Sequence, residues 1–168
     1  MWQQGSVAVT TGSSRSYSGL VADPIGEIND CRSLFLADIQ EMGRNSLQIA
    51  VAEGLPAGPP ASIEVGGTII RNRTPIEATD ERRVFEIVWR SYVGYAVLNE
   101  SYSDVSDEER YEGTRFRIYS KSRFIEYMSR TTFASDKHPG PTRHYCLACE
   151  DHILNVLSVE AQAMRRVR

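Results

Sequence analysis

Lysine is nearly missing from this chain: Lys121 and Lys137 are the only two, and arginine supplies the rest of the 19 basic residues. Long apolar runs are missing too. None approaches the ~18 residues that a membrane-crossing helix requires. Residues 1–20 lack the basic start and apolar centre of a secretory leader. Cysteine is scarce, and an odd set of three (Cys31, Cys146 and Cys149) is no disulfide framework. The expected setting is therefore the reducing cytoplasm, where the glycosylation-type sequons at Asn72 and Asn99 are coincidental. No Gly-x4-Gly-Lys-Ser/Thr, Gly-x-Gly-x2-Gly or Gly-x-Ser-x-Gly occurs, which excludes the standard phosphate loops and the nucleophile elbow. Strong net charge is missing as well. At −3, with a pI near 5.7, the chain has no global field favouring nucleic acid or an anionic membrane. The arginine bias has two accounts, arginine-rich codon usage or selection for bidentate anion recognition. Arg165, Arg166 and Arg168 read as a solvated basic end.

What is present is ordinary globular material. With 41% hydrophobic and 24% charged residues, disorder and coiled coil are poor fits, and 168 residues suffice for one core. Residues 1–30 are rich in turn formers and read as a loosely held arm. Residues 31–168 read as a single β-rich domain. Ser46-Leu47-Gln48-Ile49-Ala50-Val51 alternates at period two. The segment before it suits either the first strand of a hairpin turning at Gly43-Arg44-Asn45, or a short helix capped by Ser33. The Gly/Pro-rich stretch 54–60 is a loop. Strands are expected around Ile63, Ile69 and Ile118, with a turn or bulge at Gly66-Gly67.

The strongest strand signal is Arg83 to Trp89, where Phe85, Ile87 and Trp89 share one face. Tyr92 to Leu98 continues in the same style, with Arg90-Ser91 as a hairpin or a bulge between them. Asp104 to Glu112 reads as a solvated acidic loop. Ser122 looks like the N-cap of a two-turn helix, and Pro139-Gly140-Pro141 enforces a loop. His144 to Cys149 reads as a strand, and residues 152–158 fit helix or strand equally. Near-consecutive strands without βαβ alternation predict a mainly β fold: an antiparallel β-sandwich or barrel-like sheet with one to three short helices.

Three constellations could carry chemistry. His138, His144, Cys146, Cys149 and His152 fall within fifteen residues. Thiolate and imidazole ligands suit zinc, as a structural site or as a hydrolase with Glu150 as general base. The competing reading is packed thiols and hydrogen-bonded histidines; on a strand, Cys146 and Cys149 would point to opposite faces. Trp89, Tyr92, Tyr95 and Tyr102 form an aromatic group. Phe85 and Trp89 suit the core, whereas the tyrosines suit a partly wet recognition face. Glu86, inside an apolar strand, is either a sheltered acid–base group or a partner for an arginine such as Arg115 or Arg117.

The leading expectation is a non-enzymatic sandwich module that binds a small molecule or a protein partner through Tyr92, Tyr95, Tyr102 and Arg117. It needs no cofactor, and a homodimer through an edge or a face is compatible with it. The alternative is a zinc-dependent hydrolase or structural zinc site on the 138–152 cluster.

Overall fold

A computed structural model describes residues 23–77, 82–104 and 106–168. Its order begins with α1 (Pro24–Asn29), β1 (Leu34–Gly43) and β2 (Ser46–Glu53). Four short strands follow: β3 (Leu55–Pro56), β4 (Ala61–Val65), β5 (Thr68–Arg73) and β6 (Ile76–Glu77). Next come β7 (Val84–Trp89), β8 (Tyr92–Asn99), a 3-10 turn (Glu100–Tyr102), β9 (Arg110–Glu112) and β10 (Phe116–Lys121). The helix α2 (Arg123–Thr131) precedes β11 (Arg143–Ala148), β12 (His152–Ser158) and β13 (Ala163–Arg166).

Two antiparallel sheets form the body, a four-stranded one in the order β1-β2-β7-β13 and a five-stranded one in the order β8-β12-β11-β10-β9. The fold is mainly β and sandwich-like, as the strand pattern predicts, and neither sheet closes into a barrel. No helix among the described residues is long and apolar enough to cross a membrane.

Period-two burial builds the core. Leu47, Ile49 and Val51 of β2 pair with Trp89, Ile87 and Phe85 of β7, and all six are fully buried. From the opposite sheet, Phe116, Tyr145, Leu147, Leu154 and Val156 enter the same cluster. Trp89 lies 6.5 Å from Phe116 and 5.8 Å from Tyr145, centroid to centroid, so one ring contacts two strands of the facing sheet. Truncating such a buried ring to alanine typically removes ~3–5 kcal/mol.

Several local expectations resolve. Residues 34–53 form the hairpin rather than a helix, with Arg44 and Asn45 both at positive φ in the turn. Residues 152–158 are a strand, paired on both sides by β11 and β8. Arg90-Ser91 is neither hairpin nor bulge, because the chain crosses there from one sheet to the other. Ser158 Oγ donates to the Ser91 carbonyl and Tyr92 N–H donates to the Asn45 carbonyl, holding the crossing in place. The acidic stretch expected as loop ends in a strand, β9, which pairs with β10. Gly66-Gly67 is a two-residue hairpin turn with both residues at positive φ. The ribbon it closes joins neither sheet, and Ile69 is exposed.

The loosely held arm expected over 1–30 lies outside the described residues as far as position 22. Positions 24–29 are α1, whose Ile28 is fully buried in the core cluster. The last residue of α1 ties the helix to the five-stranded sheet. Asn29 Oδ1 accepts from the backbone N–H groups of Thr114 (2.8 Å), Arg115 (2.9 Å) and Phe116 (3.0 Å). Gly113 turns into this loop at φ +93°, and a Cβ there would meet the Phe116 carbonyl oxygen at 2.1 Å.

Asn29→Ala leaves three backbone donors without their acceptor. It is expected to lower the unfolding free energy by about 1–3 kcal/mol in urea titrations monitored by tryptophan fluorescence. An unchanged midpoint would show that water replaces the amide at no cost.

Candidate functional site

The five-stranded sheet is covered on its outer side as well. In β11, His144, Cys146 and Ala148 point away from the sandwich core yet are buried like their neighbours. Much of the cover is α2. Ser122 caps it, its Oγ accepting from Ile125 N–H at 3.1 Å, as its sequence position predicts. Phe124 packs on the His144 ring at 5.0 Å, and Met128 fills the space left by the missing side chain of Gly94 on β8.

Beneath the helix start lies a polar chain. His144 Nδ1 is 2.9 Å from Ser122 Oγ, and Nε2 is 3.0 Å from Asn155 Oδ1. Asn155 Oδ1 can only accept, so Nε2 carries the imidazole proton and donates to it. Nδ1 of the neutral ring then accepts the Ser122 hydroxyl proton. Burial pushes the His144 pKa down to about 4, opposed by the Asn155 hydrogen bond. The ring is therefore neutral near pH 7. The order Ser122–His144–Asn155 resembles a hydrolytic relay. However, Ser122 is 2% exposed and occupied as a cap, and an imidazole this weakly basic is a poor proton acceptor.

Beside this chain opens a cleft of about 360 Å³. Its rings are those of Tyr119, His144 and Phe124; Tyr119 stacks on His144 at 4.4 Å and 29°. Polar groups join from Asn155, Arg117 and Arg123. The Asn155 amide nitrogen has no partner among the described residues. Arg123 pairs with Asp104 at 3.2 Å, an exposed contact of small energetic weight. Arg117 is half-buried. Burial works against its charge, but hydrogen bonding to Tyr119 and the surrounding groups leave its pKa raised. Burial and the nearby Cys146 push the Tyr119 phenol up to about 12. Tyr102, 88% exposed, stands at the rim.

The residues singled out in the sequence divide between places. Tyr102 and Arg117 reach the cleft. Tyr92 and Tyr95 do not line it: their hydroxyls both meet Glu41 of β1, at 3.3 and 3.1 Å. His144 and Cys146 share the outer face, whereas Cys149 belongs to the sandwich core. His138 is exposed and stacks on Phe133, and His152 sits at the far end of β12 opposite Asn99. Among the described residues no group of three or more His, Cys, Asp or Glu is arranged to hold a metal ion. Burial raises all three thiols, Cys31 and Cys146 to about 11 and Cys149 to about 12, so they stay protonated near neutrality. Glu86 pairs with an arginine on a neighbouring strand, Arg165 of β13 rather than Arg115 or Arg117.

Sequence reasoning missed Asn155, Arg123 and Phe124. Asn155 carried a signal, as a lone amide inside the apolar run from Ile153 to Leu157. No known protein family, curated protein or solved structure matches the chain.

Because the folded pKa of His144 lies below its ordinary 6.5, its contribution to stability is complete above that value and is lost as pH falls toward about 4. Between pH 7 and 4 the protein should lose up to roughly 3 kcal/mol more than His144→Gln, read from urea midpoints at each pH. An imidazole that titrates near 6.5 by NMR would contradict the burial argument.

Proposed function

We propose that the protein is a non-enzymatic binding module that takes a small solute with a flat ring into the cleft over the five-stranded sheet. The supporting observation is the convergence of three packed rings with the Asn155 amide nitrogen, unpartnered among the described residues, and Arg117 in one recess. Its volume, about 360 Å³, falls in the range of small-molecule sites. Rings supply sequence-independent stacking area, and a few fixed polar groups orient what stacks on them. Phe124 would contact the ring face, Asn155 would donate to an acceptor on the solute, and Tyr102 would close over it from the rim, while Tyr119, packed between Tyr111 and His144, backs the wall. The neutral, doubly hydrogen-bonded His144 serves as a rigid wall. A rigid wall whose serine is buried as a helix cap and whose imidazole is held neutral favours binding over catalysis.

Indole-3-acetate, 4-hydroxybenzoate and adenosine are suitable flat-ring probes. At least one should raise the thermal midpoint and shift the Phe124 and Tyr119 ring signals in NMR spectra. Phe124→Ala should weaken that probe about tenfold, the worth of one stacking contact. Tyr92→Phe and Tyr95→Phe should leave it unaffected. Binding that survives Phe124→Ala unchanged, or ring shifts confined to other parts of the molecule, would defeat the assignment.

A further inference from the structure

On the other side of Arg117 lies a second hollow, of about 500 Å³, with a different lining. Asn29, Thr114 and Tyr111 contribute to it together with Arg32, Arg115 and Arg117, and no aspartate or glutamate among the described residues lines it. None of the three arginines forms a salt bridge with a described residue. In a chain of net charge −3, three guanidinium groups around one hollow without a carboxylate is a local reversal of sign.

Two of these groups are fixed in advance. Arg115 donates through Nε to the Cys31 carbonyl at 3.4 Å and through Nη2 to the Arg32 carbonyl. Arg117 donates through Nε to the Thr114 carbonyl at 3.0 Å, and its guanidinium lies 4.8 Å from the centre of the Tyr111 ring. The backbone beneath them is itself held by Asn29 through the three N–H bonds already described. The remaining N–H donors of Arg115 and Arg117 thus come from guanidinium groups anchored along one edge, which lowers the entropy lost on binding. Arg32 is exposed, and its side chain makes no hydrogen bond to a described residue.

We propose that this hollow binds a phosphate-type oxyanion carried on a small solute. A carboxylate is satisfied by one bidentate arginine, whereas a phosphate presents three terminal oxygens and up to two charges, enough for several guanidinium groups at once. A nucleic acid strand would call for a continuous basic stripe, and the acidic balance of the chain works against one. The site is independent of the flat-ring cleft. Arg117 borders both, but Arg32 lines only this one.

The test is calorimetric titration of the full chain with pyrophosphate, and with acetate at matched ionic strength. Pyrophosphate should bind saturably at one site and acetate should not. Arg32→Gln should weaken pyrophosphate about tenfold or more, the loss expected for one charge-assisted contact. Arg32→Glu should abolish it. Phe124→Ala, which alters only the cleft, should leave it within about twofold, so the two proposals fail separately. Thermal midpoints of both Arg32 variants, expected to match the wild type, report on folding. Pyrophosphate binding no stronger than acetate, or indifferent to Arg32→Gln, overturns the proposal. A mixed-sequence RNA strand that binds more tightly than pyrophosphate overturns the small-solute assignment.

Discussion

Trp89 is where the two sheets are locked together. Its ring reaches across the sandwich to Phe116 and Tyr145, which stand on neighbouring strands of the opposite layer and stack on each other at 5.9 Å. Because interiors are packed as tightly as organic crystals, this contact fixes how one layer sits on the other. β7 ends at Trp89, and after Arg90 and Ser91 the chain begins β8 in the facing sheet. The lock and the crossing are adjacent in sequence, so the main chain leaves one layer at the point where the layers are most firmly joined.

The five-stranded sheet is covered on its other face as well. Its inner face is filled by the core, and its outer face carries His144, Cys146 and Asn155 under or beside α2. A strand buried on both sides needs its polar groups satisfied internally. Here one serine, one imidazole and one amide satisfy each other, and the helix cap is part of the same chain. The arrangement anchors the start of α2 and leaves one amide nitrogen facing the cleft. Local helix chemistry and the candidate binding surface thus share the same atoms.

How much of this could be read from residues alone varied with the distance over which each signal acts. Alternation along β2, β7 and β10 announced strands because a half-buried strand writes its two faces directly into the sequence. The cap at Ser122 was readable for the same reason: donor and acceptor lie three residues apart. Residues 152–158 were ambiguous because burial on both faces erases alternation, leaving an apolar run that suits helix or strand. The candidate site was only half legible. Tyr102 and Arg117 carried recognisable side chains, but the separation of Tyr92 and Tyr95 from them depends on which layer and which face each strand joins. The proximity of Glu41 to both tyrosines is a product of topology alone. The spacing of the His/Cys segment invited a metal reading. Once the segment is a strand and a turn, the same spacing directs Cys146 and Cys149 to opposite sides of the sheet.

The ribbon formed by β4 and β5 stands apart from this economy of shared atoms. Its strands pack chiefly on each other, and its Gly66-Gly67 tip contributes to neither layer, neither hollow and neither helix. Extra sequence inserted between those glycines would be carried outward, away from the aromatic lock and the arginine cluster. An affinity tag or a fluorescent reporter could be grafted there without disturbing the surfaces it is meant to report on.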